Sequence, residues 1–93
     1  MVGKDKKVSR VATIRNKLGL HARSAAQIAE IARNSKANIW IRKGSQKADA
    51  SSIMDILTLE CAQGTKITIA IEDDADTGIL ETIFHLVDSG FGE

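Results

Sequence analysis

The sequence is poor in several residue types, and each shortage excludes a class of protein. It has no proline or tyrosine, and aromatic residues make up 3% of its 93 residues. Because sheet domains that read single-stranded RNA stack bases on aromatic side chains, this composition argues against an RNA-binding domain. Lys and Arg total 13 against 12 Asp and Glu, a net charge of +1, so we expect no general attraction to nucleic acid.

The single cysteine and the lack of long apolar runs indicate the cellular compartment. Cys61 alone excludes an internal disulfide and suits a reducing compartment. No apolar run approaches the roughly 20 residues that span a membrane, and no secretory signal pattern opens the chain. We therefore expect no membrane insertion and a cytoplasmic location. The length predicts one domain over residues 1–93, with the locally basic residues 1–7 as a flexible N-terminal extension.

Hydrophobic periodicity predicts seven elements in the order βαββαβα. β-branched or alternating apolar residues predict strands over 8–14, 37–42, 47–50 and 66–71. Helical spacing predicts helices over 22–33 and 53–59, and a last helix that follows the acidic run 72–76 and ends at Gly90. Four short strands favour one mostly antiparallel sheet covered on one face by helices, an α+β fold.

One stretch brings chemistry to a helix start. Apolar residues at helical spacing begin just after Arg23, and Gly19 permits the preceding turn, so His21 should lie at or just before the first helical turn. The N–H groups of Ala22, Arg23 and Ser24 then have no intrahelical acceptor and, with the helix dipole, form an anion site. The Arg23 guanidinium suits phosphate oxygens. This pattern indicates a histidine that carries a phosphoryl group, although a surface histidine that caps the helix is the alternative.

A second helix start is predicted at Ser52. Asp55 follows three residues later, which resembles a capping box. The next two turns hold more apolar side chains than one face can bury, so we expect Ile53, Met54 and Leu57 to form a docking surface.

The residues Gly-Leu-His-Ala-Arg at 19–23 resemble the active-site motif of the HPr family, the histidine-containing phosphocarrier proteins of the bacterial phosphotransferase system. The Ser-Ile-Met run at 52–54 resembles the family's regulatory serine at the start of its second helix. The Gln-Gly pair at 63–64 and the ending 90–93 are also similar. The resemblance covers nearly the whole chain from about Val8. It implies an open-faced β-sandwich, with a four-stranded sheet and three helices on one face.

The resemblance also implies a function. Nδ1 of His21 would accept a phosphoryl group from enzyme I, itself charged by phosphoenolpyruvate, giving pros-phosphohistidine, and would pass it to the enzyme IIA domain of a sugar transporter. Arg23 would neutralise the phosphoryl oxygens. Ser52 would be the target of HPr kinase/phosphorylase, with a plain helix cap as the alternative reading. A nitrogen-related or regulatory phosphorelay with the same chemistry is the alternative function.

Such a carrier implies no cofactor, no metal, a monomeric state and no catalysis of its own, because the enzymes on either side supply the phosphoryl-transfer chemistry. Two departures from the family pattern stand out. Ser24 takes the place of the usual proline, and its hydroxyl is able to bond either the backbone or a phosphate. Ser51 stands where lysine is common.

We expect the remaining histidine, cysteine and tryptophan residues to have structural roles. Two histidines and one cysteine at unrelated positions make no metal-ligand set, so an independent metalloenzyme or hydrolase lacks its parts. We expect His85 to be a partly exposed structural residue and Cys61 a small packing residue. Trp40 should lie on the open face of the sheet, opposite the neighbouring isoleucines.

Overall fold

The computed structural model describes residues 8–93, so the predicted N-terminal extension, 1–7, lies outside the described residues. The predicted order βαββαβα is confirmed. The elements are β1 Ser9–Thr13, α1 Ala22–Ala32, β2 Ile39–Lys43, β3 Gln46–Asp49, α2 Ile53–Thr58, β4 Lys66–Ile71 and α3 Thr77–Asp88. Short 3₁₀ turns at Asp74–Asp76 and Gly90–Gly92 flank α3.

The four strands form one antiparallel sheet in the order β1-β4-β2-β3. The strand with the clearest alternation, β4, lies inside the sheet, where it pairs with β1 on one side and β2 on the other. Its Ile69 stands opposite Ile41 of β2, and its Ile67 opposite Ala12 of β1. Alternate side chains of these strands therefore form one apolar face of the sheet, and this is the face that other elements must cover.

The three helices cover that apolar face, as predicted. α1 buries one stripe of small and branched side chains, and α3 buries Leu80, Ile83 and Val87. Removing one such side chain from water is worth about 1.5–3 kcal/mol, so this layer fixes α1 firmly against the sheet. The largest fully buried apolar side chains are Ile14, Ile28, Ile39, Ile41, Ile56, Ile67, Ile69, Leu80, Ile83 and Val87.

The predicted cap at Ser52 is confirmed, but the reciprocal half of the capping box is wrong. Ser52 Oγ accepts the N–H of Asp55 at 3.2 Å. The Asp55 carboxylate accepts the N–H of Asp49 at 3.4 Å instead of that of Ser52. The reason is the tight turn between β3 and α2, in which the Ser52 N–H donates to the carbonyl oxygen of Asp49 at 3.0 Å.

The acidic run before α3 has a structural function that the charge pattern did not predict. The carboxylate of Asp76 is buried and accepts the backbone N–H groups of Lys36 at 2.8 Å and Ala37 at 3.0 Å. These bonds tie the start of α3 to the loop between α1 and β2. A buried carboxylate with two backbone donors is satisfied, so Asp76 is no candidate ligand.

Arg10 explains the imperfect alternation of the first strand. It lies on the helix side of the sheet but is half-exposed at the edge, where its guanidinium donates to Glu81 of α3 at 2.7 Å. The guanidinium also stacks 3.8 Å from the ring centroid of Phe84. An arginine tolerates the apolar side here because a carboxylate and an aromatic face receive it.

The side chains assigned to structure behave largely as expected. Trp40 lies on the open face, where its Nε1–H donates to Glu72 at 2.7 Å and the Lys47 ammonium lies 4.2 Å from its ring. Cys61 is buried, and burial raises the pKa of its thiol, so its packing role is confirmed. The His85 side chain is largely exposed. Within residues 8–93, none of the helices is long and apolar enough to cross a membrane.

Candidate functional site

A tight turn before α1 fixes the position of His21. Gly19 has φ +69°, and a Cβ at this position would lie 2.2 Å from the carbonyl oxygen of Cys61. Leu20 N–H donates to the same oxygen at 2.9 Å. Only glycine fits this close approach, which anchors the turn to the segment after α2. His21 then becomes the N-cap of α1, with extended backbone angles of φ −119° and ψ −178°.

The two imidazole nitrogens of His21 have different partners. Nδ1 accepts the N–H of Arg23 at 3.2 Å, and Nε2 lies 2.8 Å from Oε2 of Glu93. An ionised carboxylate only accepts hydrogen bonds, so Nε2 carries the proton and Nδ1 presents its lone pair. The bond from His21 lowers the pKa of Glu93, which keeps that carboxylate ionised. In this geometry Nδ1 is therefore the ring nitrogen that carries the lone pair.

Ser24 resolves the first departure from the family pattern. Its side chain is fully buried, and its Oγ accepts the backbone N–H of His21 at 2.9 Å. Its hydroxyl lies within donor range of the carbonyl oxygens of His21, at 3.2 Å, and Gly19, at 3.4 Å. With the Arg23 N–H on Nδ1, this makes a reciprocal cap at the start of α1. The Ser24 hydroxyl bonds the backbone, which was one of the two alternatives.

Arg23 remains available to a ligand. It is exposed and forms no salt bridge within residues 8–93. A cation is unfavourable at a helix N-terminus, so a nearby anion is needed to offset this cost. The Glu93 carboxylate, whose pKa the charge of Arg23 helps to lower, is one such anion. The N–H groups of Ala22 and Ser24 belong to the same first turn, and their binding to phosphate stays a prediction.

The residues predicted for docking divide into exposed and half-buried groups. Met54 is 71% exposed, whereas Ile53 and Leu57 are half-buried against the core. Sequence reasoning missed Leu18, which is 73% exposed in the turn before His21. We call these four residues the apolar patch. Ile53, Met54 and Leu57 lie on α2, which packs on α1, and Leu18 lies in the turn that leads to His21.

Asn16 and Glu93 are the other residues that sequence reasoning missed. Both reach the site through contacts between distant parts of the chain, which no local spacing indicates. In the described part of the chain, no three His, Cys, Asp or Glu side chains form a group able to hold a metal ion.

Residues 8–89 match the family described as "PTS HPr component phosphorylation site". The chain belongs to the HPr family. His21 and Arg23 lie within the matched residues, as does Ser52. Members of this family are phosphocarrier proteins that interact with enzymes of the phosphotransferase system.

Individual relatives support this assignment. The chain is 41% identical over 87 residues to phosphocarrier protein NPr of Shewanella violacea, covering 94% of this chain and 96% of the relative. It is 30% identical over 86 residues to phosphocarrier protein HPr of Cupriavidus necator, covering 92% and 97%. Among solved structures, HPr-C-His from Thermoanaerobacter tengcongensis has a TM-score of 0.83 at 36% identity, covering 95% and 97%. The predicted HPr-like fold, an open sheet with three helices, is confirmed.

Proposed function

We propose that this protein carries a phosphoryl group on Nδ1 of His21, taking it from enzyme I and passing it to an enzyme IIA domain. One observation supports this assignment above the others. Nδ1 presents a lone pair at the start of α1 beside Arg23, while Nε2 is bonded to Glu93. A helix cap requires only the bond between Nδ1 and the Arg23 N–H, and it needs neither an exposed arginine nor a carboxylate on Nε2.

The transfer step follows from this geometry. The lone pair on Nδ1 forms a bond to phosphorus, the bond from phosphorus to the donor atom breaks, and its electron pair leaves with the donor. The imidazole keeps its proton on Nε2 and becomes positively charged. Glu93, held 2.8 Å from Nε2, lies where it stabilises that charge.

The helix start and Arg23 act on the phosphoryl oxygens. A phosphoryl group on Nδ1 replaces the lone pair that now accepts the Arg23 N–H, so that N–H becomes a donor to an oxygen. The positive end of the helix dipole favours the anion, and the Arg23 guanidinium adds a forked donor. One arginine and a few N–H groups hold the group without trapping it, as a carrier requires. The protein needs no cofactor for this.

Two classes of protein are candidates to receive the phosphoryl group from His21. Transfer to sugar-transporter enzyme IIA domains is the first candidate. A nitrogen-related phosphorelay is the second, and the 41% identity to an NPr, against 30% to the HPr of C. necator, favours it. The carrier chemistry is the same in both, so only the recipients differ.

The apolar patch is the proposed docking surface for these partners. An exposed methionine on α2 and an exposed leucine in the turn before His21 suit a surface that binds several proteins in turn. Ser52 caps α2 within this surface, so phosphorylation by HPr kinase/phosphorylase would add a dianion to it. The monomeric carrier would act in the cytoplasm, which suits the free thiol of Cys61.

The direct test is incubation with enzyme I and phosphoenolpyruvate, followed by intact-mass measurement. We expect one added phosphoryl group in the wild-type protein and none in His21→Ala, with His85→Ala as the matched control that is labelled normally. Labelling of His21→Ala at the wild-type rate contradicts the assignment. The phosphorylated protein is then offered to a sugar-type and a nitrogen-type enzyme IIA, and the faster acceptor identifies the branch.

A further inference from the structure

A strained turn follows α3. Gly90, Phe91 and Gly92 follow one another with φ of +73°, +59° and +76°. Glycine adopts such angles freely, but a phenylalanine does so at a conformational cost. Phe91 is nonetheless buried in the core, so packing holds it there. Packing therefore fixes a strained residue two positions before Glu93, and such strain is often found at functional sites.

What this turn positions is the carboxylate of Glu93. Oε2 lies 2.8 Å from Nε2 of His21, and Oε1 accepts the side-chain N–H of Asn16 at 3.2 Å. Each oxygen of the carboxylate therefore has one partner, and the two bonds fix its orientation. Phe91 is buried two residues before Glu93, so it anchors the segment that carries this carboxylate to His21 and Asn16.

Asn16 is itself fixed on the other side. It is 5% exposed, and its Nδ2 also donates to the carbonyl oxygen of Gly19 at 2.7 Å. The opposite orientation of the amide would aim an oxygen at two acceptors, so the observed orientation is the only favourable one. The cost of this arrangement is Oδ1 of Asn16, a buried acceptor without a hydrogen-bond donor among the described residues. This orientation aims both amide donors of Asn16 at the carbonyl oxygen of Gly19 and the carboxylate of Glu93.

We infer that Asn16 and Glu93 are positioning residues for the phosphoryl acceptor: Asn16 orients the Glu93 carboxylate, which keeps the His21 proton on Nε2 and so leaves the lone pair that attacks phosphorus on Nδ1. This inference rests on the proposed function. A carboxylate that orients an imidazole and stabilises its cation acts this way in serine proteases, where the imidazole moves a proton. In this protein the proton stays on Nε2, and the charge arises because Nδ1 forms a bond to phosphorus.

The first arm of the test uses the unphosphorylated protein and does not depend on any partner enzyme. In ¹⁵N NMR at a pH where the imidazole is neutral, we expect His21 to show a protonated Nε2 with a slowly exchanging, downfield proton. In Glu93→Gln that proton should exchange faster with water and move upfield, and in the matched control Glu30→Gln it should not change. Glu30 is an exposed carboxylate further along the same helix.

The same spectra test Asn16 without mutating a buried residue. As acid titrates Glu93, the side-chain amide of Asn16 and the imidazole of His21 should both respond to the Glu93 midpoint. The amide of the exposed Asn34 should not. An Asn16 amide that ignores the Glu93 titration removes Asn16 from the proposal.

The second arm is the initial rate of phosphorylation by enzyme I. We expect Glu93→Gln to be slower on the order of tenfold, with a Tm within a few degrees of the wild type, and Glu30→Gln to match the wild type. A His21 proton on Nδ1 in the wild type, or a Glu93→Gln variant with wild-type spectra and rate, overturns the inference. If the wild-type protein accepts no phosphoryl group at all, the proposed function fails. The spectra of the free protein still decide whether Glu93 sets the tautomer.

Discussion

The hydroxyl of Ser24 should stabilise the site in a way that proline cannot reproduce. Ser24 Oγ accepts the backbone N–H of His21 at 2.9 Å inside a fully buried position. In Ser24→Ala that N–H loses its acceptor where water has little access, because Ser24 has no exposed surface. The change removes one hydrogen bond and one half of the reciprocal cap, and leaves the apolar core around α1 intact.

The expected loss of stability in Ser24→Ala follows from two contributions. Loss of a capping hydrogen bond costs about 1–2 kcal/mol of unfolding free energy. The better helix propensity of alanine returns up to about 0.5 kcal/mol. The net loss of about 1 kcal/mol corresponds to a fall in Tm of about 4–8 °C for a domain of this size. Ser24→Pro also loses the hydroxyl, but proline needs no N–H in a first helical turn and restricts the unfolded chain, which returns about 0.4–1 kcal/mol.

Equilibrium urea unfolding of the two variants measures these contributions. We expect stability in the order wild type, Ser24→Pro, Ser24→Ala, with an unchanged m-value, and His21 should still accept a phosphoryl group in both variants. Ser45→Ala is the matched control, because Ser45 is exposed in the turn between β2 and β3 and its loss should change stability by less than about 0.5 kcal/mol. Ser24→Ala with wild-type stability would refute the reasoning, because the buried hydrogen bond would then contribute nothing.

Three further predictions concern charge at the site. Arg23→Ala should keep its Tm within a few degrees, because Arg23 is exposed and forms no salt bridge within residues 8–93. It should slow phosphotransfer at least about tenfold, or about 1.4 kcal/mol of barrier. A large loss of stability with a normal transfer rate would contradict this role for Arg23. Ser52→Asp should keep the helix cap but slow phosphorylation of His21 several-fold, whereas the same charge at Ser45 should not. The bond to His21 lowers the pKa of Glu93, so this bond stabilises the fold at pH values above the ordinary carboxylate pKa. That stabilisation is lost as the pH falls through the lowered pKa. In an NMR titration, His21→Ala should raise the pKa of Glu93.

The sequence predicted most accurately those elements in which residue types follow a regular local spacing. β4 has the predicted bounds, Lys66–Ile71, because its three isoleucines alternate without interruption. Ser52 caps α2 as predicted, since an N-cap depends on residues three apart. In both cases local spacing alone determines the structure.

The contacts that sequence reasoning missed join residues far apart in the chain. Glu93 meets His21 across 72 positions, and Asp76 bonds the N–H of Lys36 across 40. No periodicity links such pairs, and their geometry exists only after the sheet and helices have packed. The motif around His21 therefore indicated a candidate site at the start of α1, but it gave no sign that Asn16 and Glu93 contact it.

The central claim is that Nδ1 of His21 carries the phosphoryl group, and one measurement tests it directly. The protein, labelled with ¹⁵N at its histidines, is phosphorylated with enzyme I and phosphoenolpyruvate, and the nitrogen coupled to ³¹P is identified by NMR. The chain has two histidines, so His85, which is largely exposed on α3, serves as an internal control. The predicted result is a coupling to Nδ1 of His21 alone, with Nε2 still protonated. A coupling to Nε2 of His21, or to either nitrogen of His85, would contradict it.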